Sequence, residues 1–230
     1  MTIAGNLDKI EERLFEVCRR TGRKRDEITL MGVSKFEPVE VIKEAFDAGI
    51  RCFGESRVKE ASDKFGILKE ENPLIRLHLI GHLQRNKAKQ SMLLFDCIQS
   101  VDRNELILEL AKYATLRDKP IEVLLELHTG EETKSGYENI DALLKAAETL
   151  LSYDCFKPIG LMTMAPFTQE TDIIRSSFRL LGKAQKELQK RFPLKENWAC
   201  LSMGMSNDFE IAIEEGSTML RIGSAIFRKE

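Results

Sequence analysis

The residues of this chain best placed to do chemistry are polar side chains that directly follow short apolar runs. Lys35 ends the run Ile28 to Ser34. Apolar walls around such a lysine disfavour its ammonium, lower its pKa and leave a nucleophilic amine able to condense with an aldehyde as a Schiff base. The alternative is a solvated lysine at a strand end. A second locus is Leu201-Ser202-Met203-Gly204-Met205-Ser206-Asn207-Asp208, which passes from an apolar run through a glycine turn into a helix start. Ser206 or Asn207 is the expected cap, and Asp208 a capping residue. Backbone N–H groups and hydroxyls at such a turn favour an anion such as phosphate.

A third locus is Leu220-Arg221-Ile222-Gly223-Ser224-Ala225-Ile226-Phe227. Gly223 lets backbone approach a ligand. Arg221, flanked by Leu220 and Ile222, needs a partner if it points inward, because an unpaired buried guanidinium is costly; an outward arginine at a strand edge is the alternative. The lysine and the anion site together describe an aldehyde-bearing phosphorylated ligand. Its carbonyl would meet Lys35 and its phosphate would sit near Ser202, Gly204, Gly223 and Ser224. Pyridoxal 5'-phosphate fits, and so does the sugar phosphate of a Schiff-base aldolase.

Other chemistry is poorly supported. His78 and His82 are four apart but straddle a strand and a turn, so helical zinc geometry does not apply and no metal site is expected. His128, near Glu126, could serve as acid or base, yet Gly-x-Ser-x-Gly and a Walker loop are both missing. Cys18, Cys52, Cys97, Cys155 and Cys200 include no Cys-x-x-Cys pair and read as reduced, mostly buried thiols.

The elements that must position these residues follow from periodicity. Asn6 can cap a leading helix in which Leu7, Ile10, Leu14, Phe15 and Val17 recur at helical spacing and Thr21-Gly22 supplies the stop. Eight short apolar runs then alternate with amphipathic segments: Ile28 to Ser34, Arg51 to Gly54, Arg76 to Gly81, Cys97 to Val101, Ile121 to Leu127, Pro158 to Met164, Trp198 to Met203 and Thr218 to Phe227. This alternation predicts parallel strands joined by helices. An open doubly wound sheet would carry Gly-x-Gly-x-x-Gly after its first strand, whereas here the chain reads Gly32-Val33-Ser34-Lys35-Phe36. The expectation is therefore an α/β fold, a single (β/α)8 TIM barrel spanning residues 1–230 with an extra N-terminal helix. Active sites in such barrels lie at the carboxyl ends of the strands, and phosphate commonly binds after strands seven and eight.

Composition narrows the partners. With 35 Lys and Arg against 37 Asp and Glu, the formal charge of -2 offers no global positive field, so neither nucleic acid nor an anionic membrane is expected. No apolar run approaches the roughly 20 residues of a membrane-spanning helix, and Met1-Thr2-Ile3-Ala4-Gly5-Asn6 lacks the features of a signal peptide. A cytoplasmic protein is expected.

Several ordered blocks resemble the pyridoxal phosphate homeostasis proteins, which are similar to the N-terminal barrel of alanine racemase. They are Val33-Ser34-Lys35, Phe53-Gly54-Glu55 with Glu60, His78 to Lys87, Ser100-Val101-Asp102, Lys134-Ser135-Gly136, Gly160-Leu161-Met162, Leu201 to Asp208, Ala212-Ile213, Gly216-Ser217-Thr218 and Arg221-Ile222-Gly223. The resemblance spans nearly the whole chain and implies a cofactor barrel of PLP fold type III. It implies that Lys35 forms the internal aldimine with pyridoxal 5'-phosphate. Ser202 and the Gly223-Ser224 backbone would hold the phosphate, with Gly204, Met205 and Ser206 completing the loop. Arg221 would face the pyridine nitrogen, keeping the ring a weak electron sink. Ser56 and Met162 join the expected cofactor-binding set. Ser56 stands where the family usually shows asparagine, and Arg228 where glycine is common.

What the resemblance implies is a non-enzymatic binder in intracellular vitamin B6 homeostasis, with PLP-dependent apoenzymes as partners and no catalytic residue. The alternative is a PLP-dependent amino-acid racemase or lyase of alanine racemase type. The racemases add a β domain with a catalytic tyrosine, and the chain ends at Glu230 without one. Tyr113, Tyr137 and Tyr153 fall in expected helices or their caps. Without that domain's dimer surface, a monomer is expected.

Overall fold

The computed structural model describes residues 2–130, 135–193 and 198–228. Its eight strands are β1 (Thr29–Val33), β2 (Cys52–Glu55), β3 (Arg76–Leu79), β4 (Cys97–Val101), β5 (Ile121–Glu126), β6 (Phe156–Met162), β7 (Cys200–Ser202) and β8 (Met219–Ile222). Each pairs in parallel with the next, and β1 pairs with β8 through Met31↔Arg221 and Gly32↔Ile222, closing the barrel. The helices are α1 (Ile3–Thr21), α2 (Val39–Asp47), α3 (Val58–Glu71), α4 (Ala88–Leu94), α5 (Asn104–Ala111), α6 (Ile140–Leu151), α7 (Thr171–Arg191), α8 (Phe209–Glu214) and α9 (Ser224–Phe227).

Side-chain alternation sorts each strand into two environments. In β5, Ile121, Val123 and Leu125 join the main apolar layer shared with the helices, while Leu124 turns inward to pack with Cys97 and Met162. Met31, Cys52 and Met219 form a second interior cluster. Gly160 is set by close strand approach: a Cβ there would lie 1.9 Å from the Cys200 carbonyl oxygen, so only glycine allows β6 and β7 to pair.

Three expectations near the ends of the chain change, the first being Phe15, which lies exposed on α1 while Leu7, Ile10, Leu14 and Val17 form its buried stripe. The cap of α1 is Thr2, whose hydroxyl accepts from the Gly5 N–H, and Gly22 ends the helix in the left-handed region. Asn6 is buried inside α1 and donates instead to the carbonyls of Ile226 (2.9 Å) and Arg228 (3.2 Å), tying the first helix to the last. The eighth apolar run is strand only to Ile222; Ser224 to Phe227 is the short helix α9. No helix among the described residues is long and apolar enough to cross a membrane.

Candidate functional site

All strands run the same way, so their carboxyl ends form one mouth. Lys35 emerges there just past β1, after Ser34, whose N–H still donates to the Gly54 carbonyl. The side chain is exposed and, among the described residues, holds no hydrogen bond or ion pair. The expected apolar walls are therefore not in place around it. What is fixed is the backbone on either side. The Ser34 hydroxyl donates to Glu55 Oε1 at 2.6 Å, and the Phe36 N–H donates to Glu60 Oε1 at 2.6 Å. Lys64 Nζ ties the two carboxylates together, 2.7 Å from Glu55 and 2.9 Å from Glu60, and donates to the Ser34 carbonyl. Burial pushes the Glu55 carboxyl pKa up, against the hydrogen bonds from Lys64 and Ser34. Phe36 sits at φ 69°, a left-handed conformation costly for a non-glycine residue.

Across the β1–β8 seam lies Arg221. It points into the barrel and is 4% exposed, which settles the inward alternative. Its Nη1 donates to the Ser202 carbonyl (2.6 Å) and hydroxyl (2.8 Å), and its Nη2 to the Thr163 carbonyl (2.7 Å). Burial lowers the guanidinium pKa to about 10, opposed by the carboxyls of Asp208 and Glu126, so the group is a cation at neutral pH. The chain of bonds continues downward: the Ser202 hydroxyl donates to Gln99 Oε1 (2.7 Å), and Gln99 Nε2 donates to His78 Nδ1 (2.8 Å). Burial pushes the His78 pKa down to about 4, so the imidazole is neutral and its Nε2 carries the proton. Ser202 thus departs from its expected role. Its hydroxyl is fully buried and committed to Gln99 and Arg221, so it fixes the guanidinium and is not offered to a phosphate.

The remaining anion-site residues come together above Arg221. Gly204 adopts φ 98°, and a Cβ there would meet Ala212 at 2.6 Å, so the turn is specific for glycine. The Arg221 N–H donates to the Gly204 carbonyl at 2.9 Å. The cap position of α8 is Asp208 rather than the expected Ser206 or Asn207, and its carboxylate reaches back to accept from the Met205 N–H at 2.5 Å. That N–H is therefore occupied. The Ser206 hydroxyl accepts from the Ser224 hydroxyl (3.2 Å) and the Ala225 N–H (3.3 Å), joining the two loops. Val33 packs against Gly223, so the Lys35 turn adjoins this cradle.

Ser56 lies half-buried after β2, its backbone filling the space a Cβ on Gly81 would need. Met162 is buried inside the barrel beside Leu124, beneath the mouth. His82 Nδ1 pairs with Asp102 at 2.7 Å, and Asp102 also pairs with Arg103. Tyr137 is not in a helix; it forms a bridge with Leu127 between β5 and α6. Lys134 lies outside the described residues. Among the described residues, no cluster of His, Cys, Asp or Glu is arranged to hold a metal.

Sequence reasoning passed over two inward residues of the barrel as parts of the site. Gln99 interrupts an apolar run, and its inward parity was the available signal. Glu126, the last residue of β5, shares the inward parity of Leu124 and is 2% exposed. The Ser135 hydroxyl donates to its Oε1 at 2.9 Å, while its buried Oε2 has no partner among the described residues. Burial raises its pKa to about 7; the Ser135 bond opposes this, Asp102 adds to it, and Arg221 and His82 oppose it.

A closed parallel barrel with a free lysine after its first strand and a braced arginine in its eighth defines a specific class. Residues 5–229 match the alanine racemase N-terminal domain, and the chain belongs to that family. Within it, the relatives are named pyridoxal phosphate homeostasis protein. The one from Aquifex aeolicus is 39% identical over 228 residues, covering 99% of this chain and 98% of that one. Among solved structures, an unknown protein from Bifidobacterium adolescentis has a TM-score of 0.92 at 31% identity, covering 98% of this chain and 94% of that one. PipY of Synechococcus elongatus, solved with PLP bound, has a TM-score of 0.85 at 30% identity, covering 99% of this chain and all of that one (100%).

Proposed function

We propose that this chain binds pyridoxal 5'-phosphate on Lys35 and serves intracellular vitamin B6 homeostasis without turning over a substrate. The observation that carries this reading is that the Lys35 turn, whose amine holds no partner among the described residues, adjoins the Ser206–Ser224 cradle across the β1–β8 seam, on which the buried Arg221 cation also lies. That donor set fits the ligand: an amine for an aldehyde, hydroxyl and amide groups for a phosphate, and a fixed cation in the same barrel mouth. The relatives' name and the PLP-bound PipY structure point the same way.

When bound, the cofactor supplies an aldehyde that joins an amine with loss of water and a ring that withdraws electrons. The chain's own residues do the rest. Lys35 supplies the amine, held in place by the Ser34 and Phe36 anchors. Ser206, Gly223 and Ser224 receive the phosphate, and Gly204 shapes their loop. Ser202 keeps Arg221 aimed by accepting its Nη1–H. Ser56 and Met162 complete the surroundings of the ligand, side wall and floor respectively. In this reading the chain acts in the cytoplasm as a monomer, and PLP-dependent apoenzymes are the recipients.

The test is an absorption spectrum of the purified protein with added pyridoxal phosphate, repeated after borohydride and followed by peptide mapping. A band near roughly 420 nm that collapses on reduction, with the pyridoxyl mass on Lys35, is expected. A protein that takes up no cofactor overturns the binding claim. Sustained racemisation or lyase turnover of amino acids, lost in Lys35→Ala, overturns the non-catalytic claim. Sizing by light scattering decides the monomer.

A further inference from the structure

We propose that Glu126 faces the ligand of this same site as a hydrogen-bond donor, its free carboxyl oxygen meeting the ring's phenolic oxygen. The proposal rests on the cofactor reading above and adds a contact that reading does not contain.

Three observations carry it. First, Glu126 closes the inward row of β5, at the carboxyl end of the barrel, and β5 stands four strands from β1 in either direction. Lys35 and Glu126 therefore occupy opposite walls of one mouth. Second, the carboxyl is half satisfied. Ser135 donates to Oε1, whereas Oε2 is buried without a partner among the described residues. A buried polar oxygen left unmatched is costly and is a natural contact for an incoming group. Third, the titratable and charged groups that act on it from other elements are Asp102 after β4, His82 after β3 and Arg221 on β8. Burial and Asp102 hold the carboxyl protonated near neutrality, leaving it a donor where ionised glutamate would be an acceptor only.

The ligand's connectivity supplies the orientation. On the pyridine ring the aldehyde carbon is flanked on one side by the phosphate arm and on the other by the phenolic oxygen. An aldehyde held at β1 with the phosphate held after β7 and β8 turns the phenolic edge away from those strands. That edge, an oxygen anion at neutral pH, then meets the wall carrying Glu126. A protonated carboxyl can donate to it; an ionised one would repel it.

The experiment compares unmodified protein with Glu126→Gln, Glu126→Leu and Ser135→Ala, each titrated with pyridoxal phosphate and followed by absorbance across pH. Circular dichroism of the ligand-free variants verifies folding. Glu126→Gln keeps a donor and should bind within about threefold of the unmodified chain, and it should lose a spectral step that the unmodified chain shows near pH 7. Glu126→Leu should weaken binding about tenfold or more, and Ser135→Ala by less than about threefold. The proposal is overturned if Glu126→Gln and the unmodified chain titrate superimposably, or if folded Glu126→Leu binds normally. Should Glu126→Leu fail to fold, the Glu126→Gln titration decides alone. An unmodified chain that takes up no pyridoxal phosphate overturns the cofactor reading and this contact together; normal uptake with an unaffected Glu126→Gln spectrum removes only the contact.

Discussion

Replacing Glu126 by glutamine should stabilise the ligand-free protein at mildly alkaline pH and leave it nearly unchanged in acid. Burial of this carboxyl raises its pKa from 4.5 to about 7, ahead of the opposing Ser135 bond. A carboxyl pKa raised by folding contributes stability below the unfolded value, and that contribution is lost as pH rises through the folded one. The window therefore opens above 4.5 and closes near about 7. Each tenfold in proton affinity is worth about 1.4 kcal/mol, so between roughly pH 5 and pH 8 the unmodified chain should lose about 2 to 3 kcal/mol relative to Glu126→Gln. The carboxyl is 2% exposed, so solvent screening takes little from this figure. Glutamine has nearly the same shape, and its oxygen can still accept from Ser135. Urea unfolding of both proteins, without cofactor, at several pH values measures the difference directly. If the two stability curves stay parallel to within about 0.5 kcal/mol across that range, Glu126 is ionised in the folded state and the reasoning fails.

Three further outcomes are expected. Lys35→Ala should leave the stability of the ligand-free protein within about 0.5 kcal/mol, because the exposed amine holds no partner among the described residues, while removing the borohydride-trapped adduct; a lower melting temperature would reveal a structural role. Gly160→Ala should cost about 2 kcal/mol or more, since the new Cβ falls 1.9 Å from the Cys200 backbone oxygen and a strand must shift; unchanged urea denaturation would contradict that packing. Phe36→Gly should raise stability by roughly 0.5 to 1 kcal/mol by relieving φ 69° at a side chain that is 71% exposed, and calorimetry showing a loss would mean that the ring's contact with Arg57 outweighs the strain.

The barrel was readable because burial on both faces makes parallel strands short apolar runs, and the alternation with amphipathic helices repeats often enough to fix the order. Lys35 was readable for the same reason: position after a strand is a property of the local sequence. The ends of elements were less so. Ser224 to Phe227 continues an apolar run that periodicity over four residues cannot divide into strand and helix, and Asn6 looks like a cap although the Thr2 hydroxyl does that work.

Side-chain partners were hidden for a different reason. Ser202 belongs to a serine- and glycine-rich turn of the kind that binds phosphate, yet its hydroxyl meets Gln99, which lies 103 positions earlier, and the guanidinium of Arg221. Only barrel closure brings these together, so spacing along the chain carried no trace of the contact. The consequence is electrostatic. Arg221 is held by the oxygens of Ser202 and Thr163, which carry no formal charge, and Glu126 nearby, its pKa raised to about 7, is only about half ionised in neutral solution. The cation is thus braced by uncharged oxygens, and the Asp208 and Glu126 carboxyls offset only part of its charge. An ordinary ionised glutamate at the end of β5 would cancel part of that field, so the burial that raises the Glu126 pKa also keeps the mouth attractive to an anion.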